Sequence, residues 1–179
     1  QAYYDFIESG KRPLGTAFFP FLYATGFEQG LTPATLVDDE QMDNRSVMVG
    51  GSEGVLAEWG MEVPSPGYER KPIPARLAME QSKIAATIRF SDLVGLQRIK
   101  DLACKFGFPM QKAELLRRIA VGFEEANLKQ AVRAMAAFPR GGSLGPETLV
   151  YVDRVEDPTG RAVYKRERQP LKRVEVIDS

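Results

Sequence analysis

Hydrophobic positions are unevenly spaced along the chain, and their period changes near its end. From about Ala17 to Gln29 nearly every side is apolar, with Phe18, Phe19, Phe21, Leu22 and Phe27, which predicts a helix packed into a core. Pro20 falls in its first turn, where a missing N–H costs little, and Gly30 stops it. Pro74 opens a second helical pattern carried by Ala75, Leu77, Ala78, Met79, Ile84, Ala85 and Ile88. A third is capped by Ser91 or Asp92 and runs through Leu93, Leu96, Ile99, Leu102 and Ala103 to Phe106, with Gly107 as its stop signal. Gln111 to Ile119 reads as a shorter helix with Arg117 and Arg118 facing out. Beyond Gly141-Gly142 the period becomes that of strands. Thr148 to Val155 and Arg161 to Lys165 flank Asp157-Pro158-Thr159-Gly160 and predict a β-hairpin, and Leu171 to Ile177 predicts a further strand. Val47 to Val49 and Val55 to Ala57 flank Gly50-Gly51-Ser52-Glu53-Gly54 as a small hairpin. The lead from Gln1 to Gly10 is a short helix or irregular segment with Tyr3, Tyr4, Phe6 and Ile7 to bury. The class is α+β: helix-rich, with a small antiparallel β component.

Composition narrows the chemistry. A chain of 179 residues with 44% hydrophobic content supports one domain, residues 1–179, with a real core. Lys and Arg number 24, balancing 24 Asp and Glu, so no field of either sign favours nucleic acid or an anionic surface. There is no His, and Cys104 is the single cysteine, which removes imidazole triads and the common zinc sites. No metal or cofactor is expected. No apolar run approaches the roughly 20 residues that span a bilayer. The acidic cluster Asp38, Asp39, Glu40, Asp43 and Asn44 departs from calcium-loop spacing and reads as a solvated loop. Trp59 reads as packed beneath the extended crossing around Pro64-Ser65-Pro66-Gly67.

The informative stretch is Arg12-Pro13-Leu14-Gly15-Thr16-Ala17-Phe18-Phe19-Pro20-Phe21, followed by Thr32-Pro33-Ala34-Thr35. A turn here delivers a hydroxyl to a helix start, where unpaired N–H groups favour developing negative charge. The stretch resembles the active-site turn of the transpeptidase domain of class A penicillin-binding proteins, which reads approximately R-Q-P-G-S-x-x-K-P-F. In that family Ser is the nucleophile, and a Lys three residues on shares its helix face and handles its proton. The matching positions here are Thr16 and Phe19. Thr keeps a hydroxyl but crowds the approach with a β-methyl, whereas Phe19 has no proton to move. The family's second motif, S-x-N, aligns with Ser82-Lys83-Ile84: the Ser is kept, and Ile84 replaces the amide that holds substrate. The segment from Asn127 to Gly142 follows the course of a family helix that ends F-A-N-G-G. The third motif, K-T-G or K-S-G, has no counterpart, and Pro158-Thr159-Gly160 is a turn.

Core packing accounts for the aromatic run on composition alone, and Lys83 reads as a solvated side chain rather than a relocated base. Cys104 reads as a small buried apolar group. The resemblance implies the helix-rich part of a penicillin-binding-protein transpeptidase-like domain, excised from a longer envelope protein, in which Thr16, Phe19, Ser82 and Ile84 mark a degenerate acyl-transfer pocket. It implies a periplasmic or extracytoplasmic location, with peptidoglycan stem peptide or cell-wall synthesis proteins as partners. An upstream glycosyltransferase in a membrane-anchored parent is also implied. The expected role is structural or partner-binding; the alternative is an active D,D-transpeptidase that uses Thr16 and binds penicillin.

Overall fold

A computed structural model describes residues 4–47, 60–147 and 150–167, together with the backbone of 172–173. The aromatic run forms the centre. A 3-10 turn at Gly15–Phe18 leads into α1, Phe19–Glu28, with Pro20 in its first turn. Phe18, Phe19, Phe21, Leu22 and Tyr23 are buried in the main core. Around α1 pack α2 (Ala75–Glu80), α3 (Ile84–Val94) and α4 (Leu96–Lys105). Phe21 meets Phe106 and Phe108 edge-on, each with centroids 4.9 Å apart, and Tyr23 stacks on Phe90 at 4.5 Å. Such aromatic pairs add about 0.5 to 1.5 kcal/mol each beyond the area they bury. Gly26 lets α1 and α3 approach closely, since a Cβ there would lie 2.6 Å from the Phe90 ring. A second, smaller cluster of Met42, Val47, Val63, Ala85, Ile88 and Val121 lies on the other side of α3.

The strands are short and antiparallel. β1 (Lys11–Pro13) pairs with β4 (Glu125–Asn127), and β2 (Leu36–Asp38) with β3 (Pro72–Pro74). α5 (Leu128–Met135) follows β4, closed by a capping box between Asn127 and Gln130. β5 (Ser143–Leu144) pairs with β8 (Lys172–Arg173), and the expected hairpin forms between β6 (Arg154–Glu156) and β7 (Ala162–Lys165), with a shorter first strand than expected because Val150 to Asp153 is not strand and 148–149 lie outside the described residues. The α+β, helix-rich reading therefore holds. No helix among the described residues is long and apolar enough to cross a membrane.

Boundaries differ from the sequence expectations for local reasons. The pattern after Pro74 is two helices, because Ser82 breaks it in the left-handed region at φ 52°. Lys83 N–H bonds to the Ala78 carbonyl at 2.8 Å and Ser82 N–H to that of Met79 at 3.1 Å, so the break is a Schellman turn without its usual glycine. Ser91 and Asp92 lie inside α3 rather than capping the next helix. The Ser91 hydroxyl donates to the Ile88 carbonyl at 2.6 Å, and the chain turns at Gly95 instead. Gln111 to Ile119 is not a helix: turns lead into a 3-10 segment at Arg117–Val121, and Lys100 Nζ takes the Ala113 carbonyl at 2.8 Å. Tyr4, Phe6 and Ile7 are exposed rather than buried, since the lead segment is a turn held to the body only by polar contacts at its end. The hairpin expected around Gly50 to Gly54, Trp59, and the strand from Leu171 apart from its short β8 portion lie outside the described residues.

Candidate functional site

Pairing of β1 with β4 carries the chain to the turn, and the Gly15 N–H bonds to the Gly122 carbonyl at 3.0 Å. Gly122 sits at φ 66° against this turn, where a Cβ would overlap the Gly15 carbonyl oxygen and lie 2.8 Å from Phe18 Cβ. The turn is thus pinned from both sides. Thr16 stands on it with an exposed side chain, and its own carbonyl accepts the Phe19 N–H that closes the 3-10 turn. Among the described residues no hydrogen bond reaches the Thr16 hydroxyl.

Phe19, one turn on, is 1% exposed and belongs to the main core; Ile84 packs against that same cluster. The two positions that differ most from the resembled motifs therefore share one apolar environment. Ser82 is exposed on the α2–α3 corner, and no hydrogen bond among the described residues joins it to Thr16. α1 packs on both α2 and α3, which puts Phe19 and Ile84 on contacting helices, whereas Thr16 lies on the 3-10 turn before α1 and Ser82 on the corner between α2 and α3.

Lys83 overturns the solvated reading. It is 3% exposed, with Nζ 3.0 Å from Asp39 Oδ2 and 3.8 Å from Glu69 Oε1, and it donates to the Gly67 carbonyl. Asp39 is fully buried and also accepts the Glu69 N–H at 3.0 Å, while its Oδ1 has no partner. The acidic cluster is therefore not simply a solvated loop. Asp39 and Asn44 are inside, with Asn44 Nδ2 donating to the Gly60 carbonyl at 3.1 Å. Arg89 of α3 anchors the same loop by donating to the carbonyls of Asp38, Glu40 and Gln41. Sequence reading missed this lock because its partners are far apart in the chain; the one local clue was a lysine set immediately before a run of buried positions in α3.

Four other titratable groups make structural contacts or are partly buried. Arg117 makes two bonds to Asp92, at 3.0 and 2.9 Å, and Arg118 is mostly buried beside Glu124 and the Phe123 ring, so neither is a freely solvated cation. Burial raises the Cys104 thiol above its ordinary range, and Cys104 is half-buried rather than fully inside. Burial also pushes the Tyr23 phenol up to about 12, against the opposing effect of its bond to Thr87. No cluster of three or more metal-ligating side chains occurs among the described residues.

The fold is that of penicillin-binding-protein transpeptidase-like structures, and the chain is related in sequence to penicillin-binding proteins. Curated relatives include penicillin-binding proteins 1A. That of Vibrio cholerae is 26% identical over 156 residues, covering 87% of this chain and 18% of the relative. That of Pseudomonas aeruginosa is 28% identical over 168 residues, covering 92% and 19%. The chain thus spans about a fifth of the length of these relatives. Among solved structures, penicillin-binding protein 1A from Haemophilus influenzae superposes with TM-score 0.70 at 21% identity, covering 91% of this chain and 23% of that one. The penicillin G acyl-enzyme complex of penicillin-binding protein A from M. tuberculosis gives 0.72 at 14% identity, covering 96% and 42%. No family model matches the chain.

Proposed function

We propose that this chain is part of a transpeptidase-like domain of a peptidoglycan synthase in which acyl transfer has been lost and a structural or partner-binding role in cell-wall biogenesis remains. The observation that carries the reading is Phe19, a buried ring at the position where the resembled turn needs an amine. General base catalysis needs a titratable group within hydrogen-bond reach of the nucleophile, and a phenyl ring supplies none. Lys83, the middle residue of the second-motif stretch, is committed to Asp39 and Gly67. Ile84 has neither donor nor acceptor for a peptide backbone, and an unpaired substrate polar group there costs about 1 to 3 kcal/mol. Kinship with penicillin-binding proteins 1A supports a role in the cell envelope, and the reading places the chain on the extracytoplasmic face with stem peptide or synthase proteins as partners. Thr16, Phe19, Ser82 and Ile84 are the remnant pocket.

The competing reading is a working D,D-transpeptidase through Thr16, favoured by the exposure of that residue at a pinned turn before a helix. Incubation with fluorescent penicillin followed by intact-mass and peptide analysis separates the two. The expected result is no adduct on Thr16, and none in the variant carrying Thr16→Ser, Phe19→Lys and Ile84→Asn. A penicilloyl adduct on Thr16 of the unaltered chain would overturn the silent reading. An adduct only in the triple variant would show that those three positions alone account for the loss.

A further inference from the structure

We propose that the cavity between the N-terminal segment and α5 binds an amphiphile, an apolar chain ending in one anionic group, with Arg12 receiving the anion. The cavity holds about 380 Å³, within the range of small-molecule sites. Its origin is visible in the contacts of the lead segment. Asn127 Nδ2 donates to the Glu8 carbonyl at 2.8 Å, and Lys129 Nζ pairs with Glu8 at 2.6 Å, so the segment is tied down at its end. The preceding rings of Tyr4 and Phe6 meet each other edge-on at 4.7 Å and remain exposed, Phe6 at 76%. They form an apolar wall with Leu128, while Pro13, Leu14, Ala126 and Ala131 contribute further apolar lining.

Arg12, Lys11 and Asn127 supply the polar part of the lining, and Arg12 is the one whose place in the ribbon sets it on the apolar face. It lies opposite Ala126 in the β1–β4 register, so the two side chains share one face of the ribbon, and Arg12 also lines the cavity. Among the described residues no carboxylate forms an ion pair with it. A guanidinium without an internal partner beside an apolar recess suits a carboxylate or phosphate at the end of a hydrocarbon chain, because the fork can bind two oxygens at once. The cavity shares Arg12, Pro13 and Leu14 with the stretch leading to the Thr16 turn, but Thr16 does not line it, and the proposal does not depend on Thr16 being reactive.

The test uses decanoate as the charged probe and decanol as its neutral counterpart, with binding followed by methyl NMR of Leu14, Leu128 and Ala131 and by calorimetry. Decanoate should shift those methyls and bind at least tenfold more tightly than decanol. Arg12→Gln should weaken decanoate at least tenfold while leaving decanol within twofold, and Leu128→Asp should weaken both. Circular dichroism checks that each variant is folded. Flotation with phosphatidylglycerol vesicles, lost in Arg12→Gln and absent with phosphatidylcholine, would assign the site to a lipid; decanoate binding without flotation would assign it to a free amphiphile. Shifts confined to other parts of the chain, or decanoate affinity unchanged in Arg12→Gln, would overturn the proposal.

Discussion

Removing the Lys83 amine tests whether this residue is a lock or a spare base. In Lys83→Met the chain keeps a similar apolar stem but leaves the Asp39 carboxylate fully buried, with a single backbone donor on Oδ2 and nothing on Oδ1. Breaking a buried ion pair from one side costs about 3 to 5 kcal/mol. With a urea m-value of about 2 kcal/mol/M, the unfolding midpoint should fall by roughly 1.5 to 2.5 M without a change in slope. Asp39→Leu alone should cost less, since the ammonium keeps the Gly67 carbonyl and the Glu69 carboxylate 3.8 Å away. The double variant, Asp39→Leu with Lys83→Met, removes both charges and should recover most of the loss, because apolar replacement of a buried pair is often neutral or stabilising. The cycle should therefore show a coupling of at least about 2 kcal/mol. A loss below about 1 kcal/mol in Lys83→Met, or additive single changes, would refute the lock, since solvated ion pairs are worth only about 0 to 1 kcal/mol.

Other predictions test the turn, the corner and the core. Gly122→Ala places a methyl group against the Gly15 carbonyl at a positive φ and should cost about 2 to 3 kcal/mol, a fall in Tm of about 4 to 12 °C; a change under 1 °C would mean that the turn is not pinned there. Ser82→Gly relieves a left-handed serine and should gain about 0.5 to 1 kcal/mol after the entropy cost of glycine, raising Tm by about 1 to 4 °C; a lower Tm would assign the hydroxyl a stabilising contact. Tyr23 keeps its proton in the fold up to about 12 and loses it near 10 when unfolded, so its contribution is fully present below pH 10 and is lost as pH rises towards 12. Stability measured by denaturant melts should fall in that window by about 2 to 3 kcal/mol more than in Tyr23→Phe, and parallel profiles would refute the assignment.

What could be read from sequence, and what could not, follows the range of the interactions. Pro20 and Gly30 place α1 correctly because the first-turn proline and the stop signal act within a few residues. Asp157 to Gly160 places the hairpin for the same reason: Asp157 Oδ1 accepts the Thr159 and Arg161 N–H groups within the turn itself. The break at Ser82 was hidden because a serine does not announce a left-handed residue, and the pattern of Leu77, Ala78, Ile84 and Ala85 continues across it. Lys83 and Asp39 were misread because burial of a charge depends on a partner 44 positions away, which no local pattern records. The exposure of Phe6 ran against composition, since only the polar ties at Asn127 and Lys129 decide where that segment rests.

The candidate site shows how a pocket's frame and its chemistry become separable. The frame depends on backbone: the β1–β4 pairing, the Gly15–Gly122 bond and the 3-10 entry to α1, none of which requires a particular side chain at position 19. A lysine there would have to keep an ammonium or amine amid Phe18, Phe21 and the rest of an apolar cluster, at a desolvation cost that only catalytic use or a polar partner offsets. On the proposed reading, in which acyl transfer is not required, an aromatic ring gains contact area at that position and removes the cost. Ile84, packed on the same cluster, fits the same trade. Asp39 and Lys83 show the other side of it: a buried charge is retained here where it ties the β2 loop to the α2–α3 corner, and its two members can be lost together more easily than singly.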